Sequence, residues 1–139
     1  MLDVQDFLCG TFYCMGEGTK VHDKKLINAL HQLYETDPRT YADFAKHPFY
    51  GDNECVNEAL VTLCACGFLR LVFDGGATFY EVSDWASSEK GKSYYDRLIS
   101  NQRKAAKTVA MMLVGTALLA SVTKAPPAVV KEKKKKAKK

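Results

Sequence analysis

The sequence predicts an α+β domain, a helical bundle carrying a two-stranded antiparallel pair, followed by an apolar C-terminal helix and a disordered Lys-rich tail. Apolar residues recur at helical spacing in successive segments before Gly67, two β-rich runs then flank Asp74-Gly75-Gly76-Ala77, and charge divides by position. Met1 to Ser100 holds 9 Lys and Arg against 15 Asp and Glu, whereas Asn101 to Lys139 holds 11 against 1. The whole-chain value of +4 over 139 residues hides this split. An acidic body, an apolar connector and a cationic tail are each expected to meet a different partner. Residues 1–20 read as an N-terminal helix or extension, 21–104 as the domain, 105–123 as the apolar helix and 124–139 as the tail. A body of roughly 100 residues can bury one core without disulfide staples.

Residues 5 to 15 predict a short helix with Phe7, Leu8, Phe12 and Met15 inward, ended by Gly16-Glu17-Gly18. These glycines do not make a phosphate loop, which needs a preceding strand and a Lys directly after the second glycine. Asp23 is expected to cap a helix from Lys24 to Glu35, with Leu26, Leu30 and Leu33 on one face beside Ile27 and Tyr34. Asp37-Pro38 reads as an N-cap followed by Pro at the first helical position. The short helix it opens should bury Tyr41, Phe44 and Ala45 and stop before His47-Pro48. Asp52 is expected to start a third helix, with Val56, Ala59, Leu60 and Leu63 as its buried stripe and Gly67 as its left-handed cap. That helix is expected to pack on 24–35. FLRLVF, the Asp74-Gly75-Gly76-Ala77 turn and TFYEVS predict a hairpin with strands near 68–73 and 78–83. Ser87 or Ser88, with Glu89, opens a last helix through Tyr94, Tyr95, Leu98 and Ile99 to Arg103, Lys104 and Lys107.

Within residues 56–98, VNEALVTLCACGFLRLVFDGGATFYEVSDWASSEKGKSYYDRL, an apolar helix leads through Gly67 to an apolar strand. The hairpin ends in Tyr80-Glu81-Val82-Ser83, and the next helix contains Gly91. This pattern resembles the winged helix-turn-helix superfamily. The resemblance implies that residues 52–66 form the recognition helix and 74–78 the tip of the wing. In DNA-reading members the exposed face of that helix offers Arg, Lys, Asn, Gln or Ser to the groove. Here it offers Asn53, Glu54, Asn57, Glu58 and Thr62, and carboxylates repel phosphates. Asn53, Glu54, Asn57 and Glu58 are therefore expected to bind a protein partner. A cationic DNA face would require Lys24, Lys25, Lys46 and Arg70 to converge.

The run Thr108 to Thr123 (TVAMMLVGTALLASVT) supports two readings. A helix of its 16 residues rises about 24 Å against a hydrocarbon core of roughly 30 Å, so it spans only with Lys107 and Lys124 snorkelling at its ends. Alternatively it pairs with a second copy or with a protein partner. In either case Val109, Met112, Leu113, Leu118 and Leu119 are the expected contact residues. Beyond Ala125-Pro126-Pro127, Lys131, Lys133, Lys134, Lys135, Lys136, Lys138 and Lys139 concentrate positive charge for nucleic acid or another polyanion.

Asp3 and Asp6 stand where a secretory signal carries basic residues, so export by that route is not expected. Five cysteines, an odd number, imply no closed disulfide framework and read as small hydrophobes. No spacing of His22, His31, His47 and the cysteines makes a metal or nucleophilic site, so no catalytic residue, metal or cofactor is expected. The function expected is that of a non-enzymatic winged-helix protein, nucleic-acid-associated through its tail, with protein contacts made by the acidic domain and a cytoplasmic, nuclear or nucleoid location. The alternative is a membrane-associated adapter anchored by 108–123.

Overall fold

The computed structural model describes residues 2–114. Its elements are α1 Val4–Met15, β1 Lys20–His22, α2 Asp23–Thr36, a 3-10 turn Ala42–Phe44, α3 Glu54–Ala65, β2 Leu69–Asp74, β3 Ala77–Val82, α4 Glu89–Arg97 and α5 Ser100–Val114. The strands form one antiparallel sheet in the order β1-β3-β2. Leu69 pairs with Val82 and Asp74 with Ala77, and β1 adds Val21 beside Tyr80. Gly75 and Gly76 close the hairpin at φ 58° and 80°. Left-handed conformation at both central residues matches the twist of the strands, and glycine adopts it without steric cost.

The N-terminal segment, expected as a helix or extension, forms α1 and lies at the centre of the core. Asp3 caps α1 by accepting the Asp6 amide at 2.9 Å. Phe7, Leu8, Phe12 and Met15 are fully buried, and α1 packs against α3, α4 and α5. Leu60 and Val56 of α3 meet this layer with no exposed surface. The third helix lies on α1, β2 and the 3-10 turn, rather than face to face with α2. At the base of the hairpin Ser83 is buried; its hydroxyl donates to the Phe68 carbonyl at 2.8 Å and accepts the Ala86 amide at 3.1 Å.

Local boundaries differ from expectation where tertiary contacts decide them. His22, not Asp23, caps α2, its Nδ1 accepting the Lys24 amide at 3.1 Å. Strand β1 was not legible, because three residues carry too little pattern and their pairing with β3 lies far along the chain. The segment after Asp37 forms turns and one 3-10 turn, which suffice to bury Tyr41 and Phe44. The expected continuous last helix breaks at Leu98, which is extended (φ −71°, ψ 146°) and buried. A Cβ on Gly10 would lie 2.9 Å from Leu98 Cδ1, so this crossing is a close one. The Arg103 guanidinium donates to the freed Leu98 carbonyl.

After the break, α5 turns Ala106, Val109 and Ala110 fully inward against α1 and α2. The body therefore extends to at least Val114. Over residues 2–114 it holds 12 Lys and Arg against 15 Asp and Glu, so Arg103, Lys104 and Lys107 reduce its net charge to −3. No helix among the described residues is long and apolar enough to cross a membrane.

Candidate functional site

The site begins with the connector from α2 to α3. The His31 Nδ1 accepts the Lys46 amide at 3.0 Å, and Lys46 Nζ donates to Asn28 at 2.7 Å, fastening the connector to α2. A tight loop follows. The Gly51 amide donates to the His47 carbonyl at 2.9 Å and the His47 amide to the Asp52 carbonyl at 2.6 Å. Inside this loop the His47 Nδ1 accepts the amides of Phe49 and Tyr50 at 3.1 and 3.2 Å. With the loop's polar groups turned inward, its two aromatic rings point out. Phe49 is 89% and Tyr50 81% exposed, so two adjacent aromatic rings stand almost wholly in solvent.

Asn53 ends the connector and starts α3. Its side-chain amide donates to the carbonyls of Asp43 and Ala45, both at 2.7 Å, while its oxygen accepts the Val56 amide at 2.8 Å. The residue is buried. This corrects the expectation that Asn53 belongs to a partner-binding face, because its side-chain groups are already engaged within the chain.

The other three members of the expected face come together with the loop. Glu54, Asn57 and Glu58 line a groove of about 810 Å³ with Asp52, His47 and Thr62, and Tyr50 and Val61 supply its apolar wall. Glu54 and Glu58 are exposed and Asn57 half-buried. No Lys or Arg lines the groove. Arg70, one of the cations a DNA face would need, instead pairs with Glu81 across the sheet at 3.8 Å, and Lys46 is held by Asn28. The groove can thus accept a cationic group at its carboxylates and an apolar side chain against Tyr50 and Val61. The sequence reading missed Tyr50 and Val61. Val61 was detectable as an apolar residue off the buried stripe of α3, and Phe49 and Tyr50 as aromatics enclosed by the turn residues Pro48 and Gly51.

The remaining sequence-selected residues are dispersed. Val109 lies in this chain's own core, Leu113 is partly buried on it, and Met112 is 45% exposed. Leu118, Leu119 and the tail lysines Lys131, Lys133, Lys134, Lys135, Lys136, Lys138 and Lys139 lie outside the described residues.

All five cysteines are free. Burial pushes the thiol of Cys9 up to about 12 and that of Cys14 up to about 11, so neither offers a thiolate nucleophile near neutral pH. Cys55 and Cys66 are exposed rather than buried as small hydrophobes. Among the described residues no cluster of His, Cys, Asp and Glu is positioned to hold a metal ion. Comparison with protein-family models, curated proteins and solved structures found no match.

Proposed function

We propose that the chain is a non-enzymatic winged-helix binding protein that docks a basic protein segment on α3 and associates with nucleic acid through its Lys-rich tail. The observation that carries this reading is the groove itself: carboxylates of Asp52, Glu54 and Glu58 beside exposed Tyr50 and Val61, with no cation among the lining residues. Three helices followed by a hairpin with a glycine tip support the winged-helix part. A groove-reading helix meets a lining of phosphates, whereas this face supplies carboxylates and no Lys or Arg. The complementary partner is a lysine- or arginine-bearing segment with an apolar anchor. The membrane alternative draws no support from α5, whose Val109 and Ala110 are fully buried in the body.

Nucleic-acid affinity measured against salt tests the tail and the exclusion of α3 as a DNA reader. Log K should fall with log salt by about 0.7 to 0.9 per lysine that meets a phosphate, and deleting residues 131–139 should flatten the slope by several units. Glu54→Lys with Glu58→Lys should raise nonspecific affinity. An unchanged slope after the deletion would remove the tail from the proposal, and loss of a sequence-specific footprint in the double variant would make α3 a DNA reader.

A further inference from the structure

The outer edge of β2 is another surface without a partner among the described residues. In the order β1-β3-β2 this strand has β3 on one side and no strand on the other among the described residues. Natural sheets blunt such edges with proline, lysine, bulges or a covering element. Here six residues, LRLVFD, run in unbroken register with β3. The outer half of the strand is open, with Phe73 72% and Leu71 44% exposed.

Hairpin geometry determines which main-chain groups face outward. Asp74 and Ala77 flank a two-residue turn, so they are the bonded pair that closes it. Bonded and non-bonded pairs alternate along an antiparallel ladder. Arg70, Val72 and Asp74 consequently direct their N–H and C=O groups toward β3, and Leu71 and Phe73 direct theirs toward the free edge. Side-chain alternation places Leu71 and Phe73 on the core-side face of the sheet and Arg70, Val72 and Asp74 on the opposite face.

A second copy running antiparallel about a two-fold axis through Val72 satisfies the outward groups of Leu71 and Phe73; those of Leu69 fall opposite Gly75 of the second copy, in its turn, and lie outside the strand pair. Leu71 then exchanges main-chain hydrogen bonds with Phe73 of the second copy, and Phe73 with Leu71 of the second copy. Their side chains pair as apolar neighbours on one face. Arg70, whose side chain remains 67% exposed beside Glu81, stands opposite Asp74 of the second copy in a non-bonded pair, the closer kind, and so lies between two carboxylates; the symmetry axis repeats the arrangement. In this register the sequence is complementary to itself in hydrogen bonding, apolar contact and charge. A slip of one residue would put the outward-facing main-chain groups of one copy opposite inward-facing groups of the other.

We propose that this chain self-associates through β2, joining two three-stranded sheets into one continuous sheet with Arg70–Asp74 pairs flanking Val72. One strand pair is smaller than a standard interface, so the dimer should be concentration-dependent, roughly micromolar to millimolar.

Sedimentation velocity on the full chain, from about 10 μM to about 1 mM, should show a monomer–dimer equilibrium. Asp74→Arg alone places Arg against Arg70 of the second copy, and Arg70→Asp alone places Asp against Asp74; with two pairs turned repulsive, each should weaken self-association by about tenfold. An equimolar mixture of the two variants restores both pairs and should dimerise. Thermal melts check that each variant is folded, since Arg70→Asp also loses the contact with Glu81. Hydrogen exchange supplies a second readout: the Leu71 and Phe73 amides should gain protection with concentration, while that of Val72, bonded to β3, should not change. A wild-type chain that stays monomeric to about 1 mM overturns the proposal. So do folded single variants that dimerise as the wild type does or fail to complement on mixing, and so does a dimer that leaves the Leu71 and Phe73 amides unprotected.

Discussion

Replacing Asn53 with alanine removes three hydrogen bonds from one buried side chain, two donated to the connector and one accepted from the first turn of α3. Loss of the N-cap alone costs about 1 kcal/mol. The Asp43 and Ala45 carbonyls also lose their donor. Each such loss costs about 1 to 3 kcal/mol where water cannot replace it; Asp43 is exposed and Ala45 half-buried, so water recovers part. The sum is a destabilisation of about 2 to 4 kcal/mol. With a urea m-value of about 2 kcal/mol/M, the middle of the range for a small domain, the midpoint should fall by roughly 1 to 2 M. Asn53→Asp separates cap from clip: its carboxylate still accepts the Val56 amide but faces two carbonyls without a donor, so it should lose nearly as much as alanine. Urea unfolding followed by circular dichroism reads both variants. A cost below about 0.5 kcal/mol for alanine, the range of an ordinary surface position, would refute the clip, as would wild-type stability in the aspartate variant.

Leu60→Ala should cost about 2 to 5 kcal/mol in the same assay, because Leu60 is fully buried; retained stability would displace α3 from the core. Gly91→Ala should destabilise still more or prevent folding, since the new Cβ would sit 1.8 Å from the Ala86 carbonyl oxygen, and an unchanged melting temperature would contradict that close approach. Alkaline titration tests the buried thiols. Their folded pKa values, about 12 for Cys9 and about 11 for Cys14, stand above the ordinary value of 9.0. The stabilisation they contribute should therefore be whole below pH 9 and be lost as pH rises through 11 to 12. Cys9→Ala with Cys14→Ala should flatten the decline of the melting temperature in that window, and an unaltered decline would assign it to other groups.

Local chemistry carried much of the fold in the sequence. The stripe of Val56, Ala59, Leu60 and Leu63 marks the buried side of α3, and the same periodicity leaves Glu54 and Glu58 outside. Adjacent glycines announce the hairpin because few other residues hold two successive left-handed conformations. These features depend on residues a few positions apart, so one window of sequence contains their cause.

Tertiary contacts decided the rest. Strand β1 exists because Val21 finds Tyr80, its register partner on β3. The last helix divides because Leu98 is drawn into the core against Gly10, a contact no helical pattern reveals. That division turns Val109 inward, so a residue whose apolar run suggested a membrane or a partner meets its own domain. Asn53 likewise reads as a polar surface residue until the Asp43 and Ala45 carbonyls are brought to it. Charge and periodicity along the chain determined that α3 presents acid to its surroundings. Only folding decided that Tyr50 would stand beside those carboxylates, because its exposure comes from the loop closed between His47 and Asp52, where main-chain hydrogen bonds leave the rings no interior to enter.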